Sequence, residues 1–204
     1  MGGRRGLRTQ IGSLACLALV CFGLGACQKK PPQPEPADIQ AARHAALTLD
    51  VKLRQDILSR LDREEDPVAV YMAYRDHIDE MTREIAGREK LDLSRVALRV
   101  RNPANRADEW EAKQLELFQA YAEMGMDIAN METAEVVTEN KKQVFRWIRP
   151  LQVEDSCMTC HGDAIDDRIL ALLRQDYAED DATGYYEYEM LGAWSVSKPL
   201  GDSQ

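Results

Sequence analysis

The spacing of apolar residues along the chain changes from a helical to an extended pattern near residue 130. Upstream, apolar side chains recur at every fourth position from Leu49 to Leu61, which places them on one side of a helix. Downstream, residues 134–138 and 144–148 have the composition and period of strands, and residues 139–141 supply a turn between them. Helices followed by antiparallel strands predict a fold of the α+β class.

Three helices are predicted ahead of the sheet. Asp38 is the candidate N-cap of a long first helix. Pro67 favours the start of a second helix over residues 68–86, because its missing N–H costs nothing in a first turn. A third helix is predicted over residues 107–130. Three shorter elements complete the pattern: an extended piece over residues 96–101, a helix over 164–174 and a final strand over 191–198.

The first 26 residues have the composition of an export signal. Three arginines precede an apolar run from Ile11 to Leu24, which is too short to span a membrane comfortably. The run is followed by Gly25-Ala26-Cys27, and small residues before a cysteine at this point resemble a bacterial lipobox. We therefore expect residues 1–26 to be a lipoprotein signal peptide and Cys27 to be lipidated, with a plain signal peptide as the alternative. Gln28 favours the outer membrane, so the predicted location is the periplasm, tethered to that membrane.

A proline-rich segment separates this signal from the rest of the chain. Residues 27–37 include the sequence KKPPQPEP and favour an extended tether, which leaves residues 38–204 as the predicted domain. The formal charge is −9, and cleavage before Cys27 would remove three arginines and give −12. A chain this acidic has no basic face for phosphates, which argues against a nucleic-acid partner. The expected partners are a membrane, through the lipid anchor, and a redox or signalling protein.

The sequence Cys157-Met158-Thr159-Cys160-His161 has the CxxCH spacing of c-type haem attachment. One helical turn places two thiols where each can form a thioether with a haem vinyl group, and the next residue presents an imidazole to the iron. The sequence holds one such motif, so we predict one covalent haem c held by Cys157, Cys160 and His161. Two other interpretations are a thioredoxin-type thiol pair, which needs a parallel βαβ context, and a zinc site, which needs four ligands.

Four segments in the second half of the chain stand out as motifs. They are RNPAN at residues 101–105, CMTCHG at 157–162, DATGY at 181–185 and GAWSVS at 192–197. In this order they resemble a bacterial family of periplasmic or membrane-tethered c-type haem proteins, long catalogued as a domain of unknown function. The resemblance runs from Pro67 to Leu200. It implies a PAS-like antiparallel sheet flanked by helices, here preceded by a long N-terminal helix, with haem bound at CxxCH.

The resemblance also directs attention to the second helix, where family members often carry a cysteine that supplies the second axial ligand. That position is Tyr74 in this chain, and a phenol can bind ferric haem. His77 lies one turn further along, so we expect its side chain to face nearly the same way and place it first as the distal ligand. Tyr74 comes second and an open or water-bound site third, with Met72 and Met81 nearby. His44 is expected to be exposed.

Several arginines are candidates for roles around the haem motif. Arg146 and Arg149 lie just upstream of it, and an arginine there is able to pair with a haem propionate, although exposed strand residues are the commoner case. Arg101 and Asn105 are expected to brace their own loop. The acidic run at residues 179–181 is expected to be solvated. Trp147 and Trp194 are predicted core residues.

Three functions from different classes fit these features. A single haem, a saturated iron and an acidic surface favour a tethered electron carrier. A replaceable distal ligand would favour a haem-based redox or gas sensor, which would need a separate partner because no output domain follows Gly201. The third is a non-haem thiol or metal module. No enzyme is predicted, because no nucleophile–base pair or glycine-rich phosphate loop is recognisable.

Overall fold

The computed structural model describes Gly2 and residues 32–63 and 65–201. The predicted signal peptide, all but Gly2, and the lipidation site Cys27 lie outside the described residues. Within them, no helix combines the length and the hydropathy that a membrane crossing needs.

Five α-helices and four strands make up the described part of the chain. The helices are α1 (Pro36–Asp62), α2 (Pro67–Glu89), α3 (Glu109–Glu123), α4 (Asp155–His161) and α5 (Asp167–Asp176). The strands are β1 (Asp92–Val96), β2 (Thr133–Glu139), β3 (Lys142–Gln152) and β4 (Met190–Pro199), and a 3₁₀ turn covers Pro103–Asn105. The sheet order is β1-β4-β3-β2, with every pair antiparallel. The α+β prediction is confirmed, and helices flank the PAS-like sheet behind the long N-terminal helix.

The beginnings of the first two helices differ in how they are capped. The predicted cap Asp38 is wrong, because α1 begins at Pro36 inside the expected tether, after Glu35, which forms no side-chain cap. Asp38 lies in the first turn instead, where its Oδ1 accepts a hydrogen bond of 2.6 Å from Lys198. In α2, by contrast, Asp66 accepts from the Val68 N–H at 2.8 Å and Pro67 occupies the first position, as favoured.

Two predicted boundaries before the hairpin are wrong. The third helix ends at Glu123 rather than near residue 130, since Gly125 adopts the left-handed conformation at φ +79° and turns the chain away. The extended piece expected over residues 96–101 lies earlier, as β1, and most of residues 97–101 belong to the loop that follows it.

The β2–β3 hairpin carries the predicted turn but a longer second strand. Asn140 and Lys141 both have positive φ, as a two-residue type I′ turn requires. Pro150 does not end β3, which continues to Gln152. β2 pairs with β3 only as far as Ile148, so Pro150 has a strand neighbour on the β4 side and none on the other side. A proline is tolerated in a strand that is unpaired on one side, because no hydrogen bond is lost there.

Helices cover both faces of the sheet. On one face α1 and α2 pack over a core that includes Leu49, Trp147 and Trp194, and both tryptophans are buried as predicted. On the other face α3 packs through Leu115 and Phe118. The α3 face is filled by side chains, whereas the α1–α2 face contains a cavity.

Candidate functional site

A cavity of about 220 Å³ lies between the α1–α2 layer and the sheet. Its walls come from both helices, the end of β1 with its following loop, helix α4 and the first half of β4. Cys157, Cys160 and His161 all line it. The fold therefore brings the three residues of the CxxCH motif to one internal space.

Helix α4 presents both cysteines from one short helical segment. Cys157 and Cys160 are free thiols and half-buried, and the Glu154 N–H donates to the Cys157 sulfur at 3.4 Å. Burial raises the pKa of the Cys160 thiol, and the nearby Arg101 guanidinium opposes that shift. Cys160 is therefore held as a neutral thiol at the cavity wall.

The imidazole of His161 is oriented by a single backbone contact. Its Nδ1 lies 2.7 Å from the carbonyl oxygen of Ala182. Because a carbonyl oxygen only accepts, Nδ1 carries the proton and Nε2 keeps a free lone pair. Desolvation, followed by the positive charge of Arg101, lowers the pKa of His161 to about 4, so the ring is neutral at physiological pH. A neutral imidazole with Nε2 bare is the ligand form that metals bind.

The segment after α5 clamps the helix that carries His161. The Tyr185 N–H donates to the His161 carbonyl at 3.0 Å, and the Gly184 N–H donates to the Gly162 carbonyl at 2.9 Å. The Tyr185 ring meets the imidazole edge-on, with 6.4 Å between centroids, and the Arg99 guanidinium lies 4.3 Å from the centre of the Tyr185 ring. These contacts join the CMTCHG and DATGY motifs, which are separate in sequence.

The RNPAN motif also contacts α4. We call the contacts of Arg99, Arg101 and residues 180–185 with the end of α4 the clamp. Arg101 Nε donates to Asp180 Oδ2 at 2.9 Å, and Arg101 Nη2 donates to the Cys160 carbonyl at 2.6 Å. Arg101 thus braces α4 rather than its own loop, which the Asn105 carbonyl closes by accepting from the Ala97 N–H at 3.0 Å. The expectation that residues 179–181 are all solvated is wrong for Asp180, whose side chain is 10% exposed.

The two distal-ligand candidates on α2 point in different directions. Tyr71, Tyr74 and Ile78 lie on the helix face towards the cavity, and the Tyr74 oxygen accepts a hydrogen bond from Arg95, which also lies over its ring. His77 is exposed and does not line the cavity. The expectation that the two side chains face the same way is therefore wrong, and this geometry does not support ranking His77 above Tyr74.

The remaining histidine and methionine candidates lie outside the cavity wall, as His77 does. His77 Nδ1 donates to the carbonyl oxygen of Ala73, one turn back, at 2.8 Å. Met72 and Met81 do not line the cavity. His44 is exposed, as predicted, and contacts Glu89 at 2.9 Å. Among the described residues, no three Cys, His, Asp or Glu side chains cluster as a metal site of the kind a structural zinc ion would need.

Arg146 and Arg149 do not line the cavity, so this geometry does not support the propionate role suggested for them. Arg146 contacts Asp108, Glu111 and Glu139 at 2.7–3.0 Å. Arg149 donates to the carbonyl oxygen of Ala129 at 2.7 Å. These contacts use both side chains to join parts of the fold instead.

The sequence also matches a family model, described as Tll0287-like, over residues 35–199. This chain belongs to the Tll0287-like family. It is similar to the crystal structure of the cyanobacterial haem protein Tll0287, with a TM-score of 0.61 and 19% sequence identity. The match covers 84% of this chain and 100% of that one, and at this identity it shows a shared fold. Comparison with curated proteins yields no match.

The Tll0287-like match contains the whole clamp. Asp180, Ala182 and Arg99 contribute to it, although the sequence patterns did not single them out as site residues. The nearest sequence signal is the DATGY motif for Asp180 and Ala182 and the RNPAN motif for Arg99, and the resemblance gave neither motif a role at the site. The match begins at residue 35, so the predicted signal peptide and Cys27 fall outside it.

Proposed function

We propose that this protein binds one haem c in the cavity and acts as an electron carrier. Cys157 and Cys160 would hold the haem by thioether bonds, each thiol adding its sulfur and its hydrogen across one vinyl group without net oxidation. His161 Nε2 would bind the iron. The observation that carries the proposal is the 2.7 Å contact of His161 Nδ1 with the Ala182 carbonyl, which leaves Nε2 free at the cavity that both thiols line. Membership of a family that includes a haem protein supports it.

The polar groups of the cavity suit a ligand with acidic edges. Among the described residues, Arg95 has the Tyr74 oxygen as its hydrogen-bond partner and no carboxylate. Strand pairing places Trp194 directly opposite Arg95. The Trp194 Nε1–H is buried without a hydrogen-bond partner in the described part of the chain. These two neighbouring donors are our candidates for a haem propionate, in place of Arg146 and Arg149.

The bound haem would supply a one-electron iron couple. The clamp around α4 holds the imidazole in one tautomer and one orientation, so little rearrangement is needed between oxidation states. Helix α4 is half-exposed, so the haem edge bound to its two cysteines would lie near the surface, where an electron can enter or leave. The acidic chain suits a basic redox partner. We extend the proposal to export, lipidation at Cys27 and tethering to the outer membrane from the periplasmic side.

Haem attachment is tested by producing the protein in a periplasm competent for cytochrome c maturation. We expect a Soret band that survives denaturing electrophoresis, and its loss in the double variant Cys157→Ala, Cys160→Ala. His161→Ala should keep covalent haem but change the spectrum of the iron, whereas the matched control His44→Ala should leave it unchanged. A wild-type protein without covalent haem would remove the proposal and revive a thiol or metal module.

A haem-based sensor is the second candidate, and the distal wall of the cavity favours it. Apart from His161, no histidine lines the cavity in the described residues, but the phenols of Tyr71, Tyr74 and Tyr177 do. Tyr71 already donates to Asp176 at 2.8 Å, and Tyr74 occupies the position at which the family resemblance expects a ligand. A phenolate binds ferric iron better than ferrous iron, so reduction would open the site to small gases.

Carbon monoxide added to the reduced protein separates the two functions. No spectral change supports a saturated iron and the carrier, whereas a shift supports the sensor. Tyr74→Phe should alter the ferric spectrum, while His77→Ala should not. The reverse result would restore His77 as the distal ligand.

A further inference from the structure

We propose that Arg101 and Asp180 are positioning residues that orient His161 and shift the reduction potential of the haem iron in opposite directions. Arg101 raises the potential and Asp180 lowers it. This inference rests on the proposed function, because the iron is the reporter. The contacts that support it are present in the protein alone.

The two side chains form an ion pair inside the protein. The side chain of Arg101 is 13% exposed and that of Asp180 is 10% exposed, and Arg101 Nε donates to Asp180 Oδ2 at 2.9 Å. Charges with so little solvent around them act over longer distances than surface charges do. The clamp thus brings one positive and one negative charge close to the ligand of the iron.

Asp180 orients the carbonyl group that fixes the imidazole. Its Oδ1 accepts from the Ala182 N–H at 2.9 Å, two residues along, which holds this short turn in one conformation. The Ala182 carbonyl oxygen then accepts from His161 Nδ1 at 2.7 Å. Asp180 therefore acts on His161 through one residue of backbone.

Arg101 ties the same carbonyl to the helix that carries the ligand. Its Nη2 donates to the Cys160 carbonyl at 2.6 Å and also lies 3.4 Å from the Ala182 carbonyl oxygen. One guanidinium thus spans the last turn of α4 and the acceptor of the His161 proton. No other arginine in the described residues contacts both.

The sign of each effect follows from electrostatics. A hydrogen bond from Arg101 makes the Ala182 oxygen a poorer acceptor, which reduces the negative character of the imidazole, and its positive charge disfavours ferric iron. Both effects raise the potential. The carboxylate of Asp180 favours ferric iron and lowers it. Both side chains connect to the His161 ring through Ala182, Arg101 at its carbonyl oxygen and Asp180 at its N–H.

The test is the reduction potential of the haem-loaded protein, measured by spectroelectrochemistry in four variants. We expect Arg101→Gln to lower the potential and Asp180→Asn to raise it, while Arg101→Lys stays closer to the wild type than Arg101→Gln. The matched control is Asp166→Asn. Asp166 also pairs with an arginine, Arg168, and accepts from a backbone N–H, but it lies at the surface start of α5. That variant should leave the potential unchanged.

Shifts of the reduction potential in opposite directions cannot arise from a general loosening of the clamp, because loosening would shift the potential of both variants in the same direction. Shifts of equal sign, or no shift, would overturn the inference. If Arg101→Gln does not fold, Asp180→Asn decides alone, because an unchanged or lowered potential contradicts the proposal.

A wild-type protein without haem would instead contradict the proposed function. The positioning role is then tested in the haem-free protein by nitrogen NMR of the His161 ring. We expect a proton on Nδ1 in the wild type and a mixture of tautomers in Asp180→Ala, which removes the side chain that holds the Ala182 turn. A single unchanged tautomer in that variant would overturn the positioning role.

Discussion

Arg146 is a buried arginine and Arg101 a largely buried one, both pair with acidic side chains, and they differ in what surrounds them. Arg146 lies on the α3 face of the sheet, where Asp108, Glu111 and Glu139 all contact it. Arg101 lies beside the cavity, where it pairs with one carboxylate and two backbone carbonyls. The first network joins a strand to a helix, and the second joins a loop to the CxxCH helix.

The buried part of the Arg146 network consists of Arg146, Glu111 and Ser195, whereas Asp108 and Glu139 extend to the surface. Ser195 donates to Glu111 at 2.6 Å, and the Trp110 ring lies 4.7 Å from the guanidinium. None of these groups lines the cavity. The Arg101 network leads, through the Ala182 carbonyl, to an imidazole nitrogen that faces the cavity with its lone pair free. Both sites therefore contain a largely buried charged side chain, and this feature does not distinguish them. The candidate functional site differs in having a ring nitrogen with a free lone pair at a cavity.

Removing Arg146 should produce the largest loss of stability. Arg146→Met leaves Glu111, which is 7% exposed, without its cation, and breaking a buried ion pair in this way costs about 3–5 kcal/mol. Chemical denaturation measures the loss. Arg149→Met is the matched control, since that side chain donates mainly to one backbone carbonyl and its loss should cost about 1 kcal/mol.

The same variant tests whether the two networks are independent. Arg146→Met should leave the haem spectrum and the reduction potential at their wild-type values, in contrast to Arg101→Gln. A change of potential in Arg146→Met would show that the α3 face also acts on the iron, and the distinction between the two arginines would fail.

Truncating one leucine on each face should show the next largest effect. Leu115 is fully buried against the sheet under α3, so Leu115→Ala should cost about 3 kcal/mol. Leu53 lines the cavity and already lacks neighbours on that side, so Leu53→Ala should cost about 2 kcal/mol in the haem-free protein.

Haem loading sharpens this test. If haem fills the cavity, the cost of Leu53→Ala measured by denaturation should rise on loading, while that of Leu115→Ala should stay the same. Equal costs in both states would indicate that haem does not contact the α1 wall.

The sequence alone was sufficient for the fold class, and it grouped three residues that the fold brings to one cavity. The change of period near residue 130 predicted α+β, and the CxxCH spacing identified Cys157, Cys160 and His161, which the fold brings to one cavity. Both signals are local, because they depend on residues within one or two turns of each other. The order of the four motifs carried the resemblance to the family, which added the PAS-like form of the sheet.

The contacts that complete the site are not local, and sequence patterns missed them. Asp180 sits in an acidic run, and only the fold shows that its partner is Arg101, 79 positions away. Tyr74 and His77 are one turn apart on α2, yet Tyr74 lines the cavity and His77 is exposed to solvent. Arg146 was close to the motif in sequence but lies on the opposite face of the sheet.

Gly192 lies where β4 approaches the end of β1, and its substitution should affect stability about as much as the truncation of Leu53. A Cβ at this position would lie 2.4 Å from the carbonyl oxygen of Val96, a backbone atom that cannot move aside without shifting the strand. Gly192→Ala should therefore destabilise the protein by about 1–3 kcal/mol. The control is Gly87→Ala in α2, where a Cβ meets no atom within 4 Å and the change should stabilise the helix by about 0.5–1 kcal/mol. Gly192 also lines the cavity. If Gly192→Ala leaves the free energy of unfolding unchanged, β4 is able to move away from β1 at the cavity without cost, and the prediction is wrong.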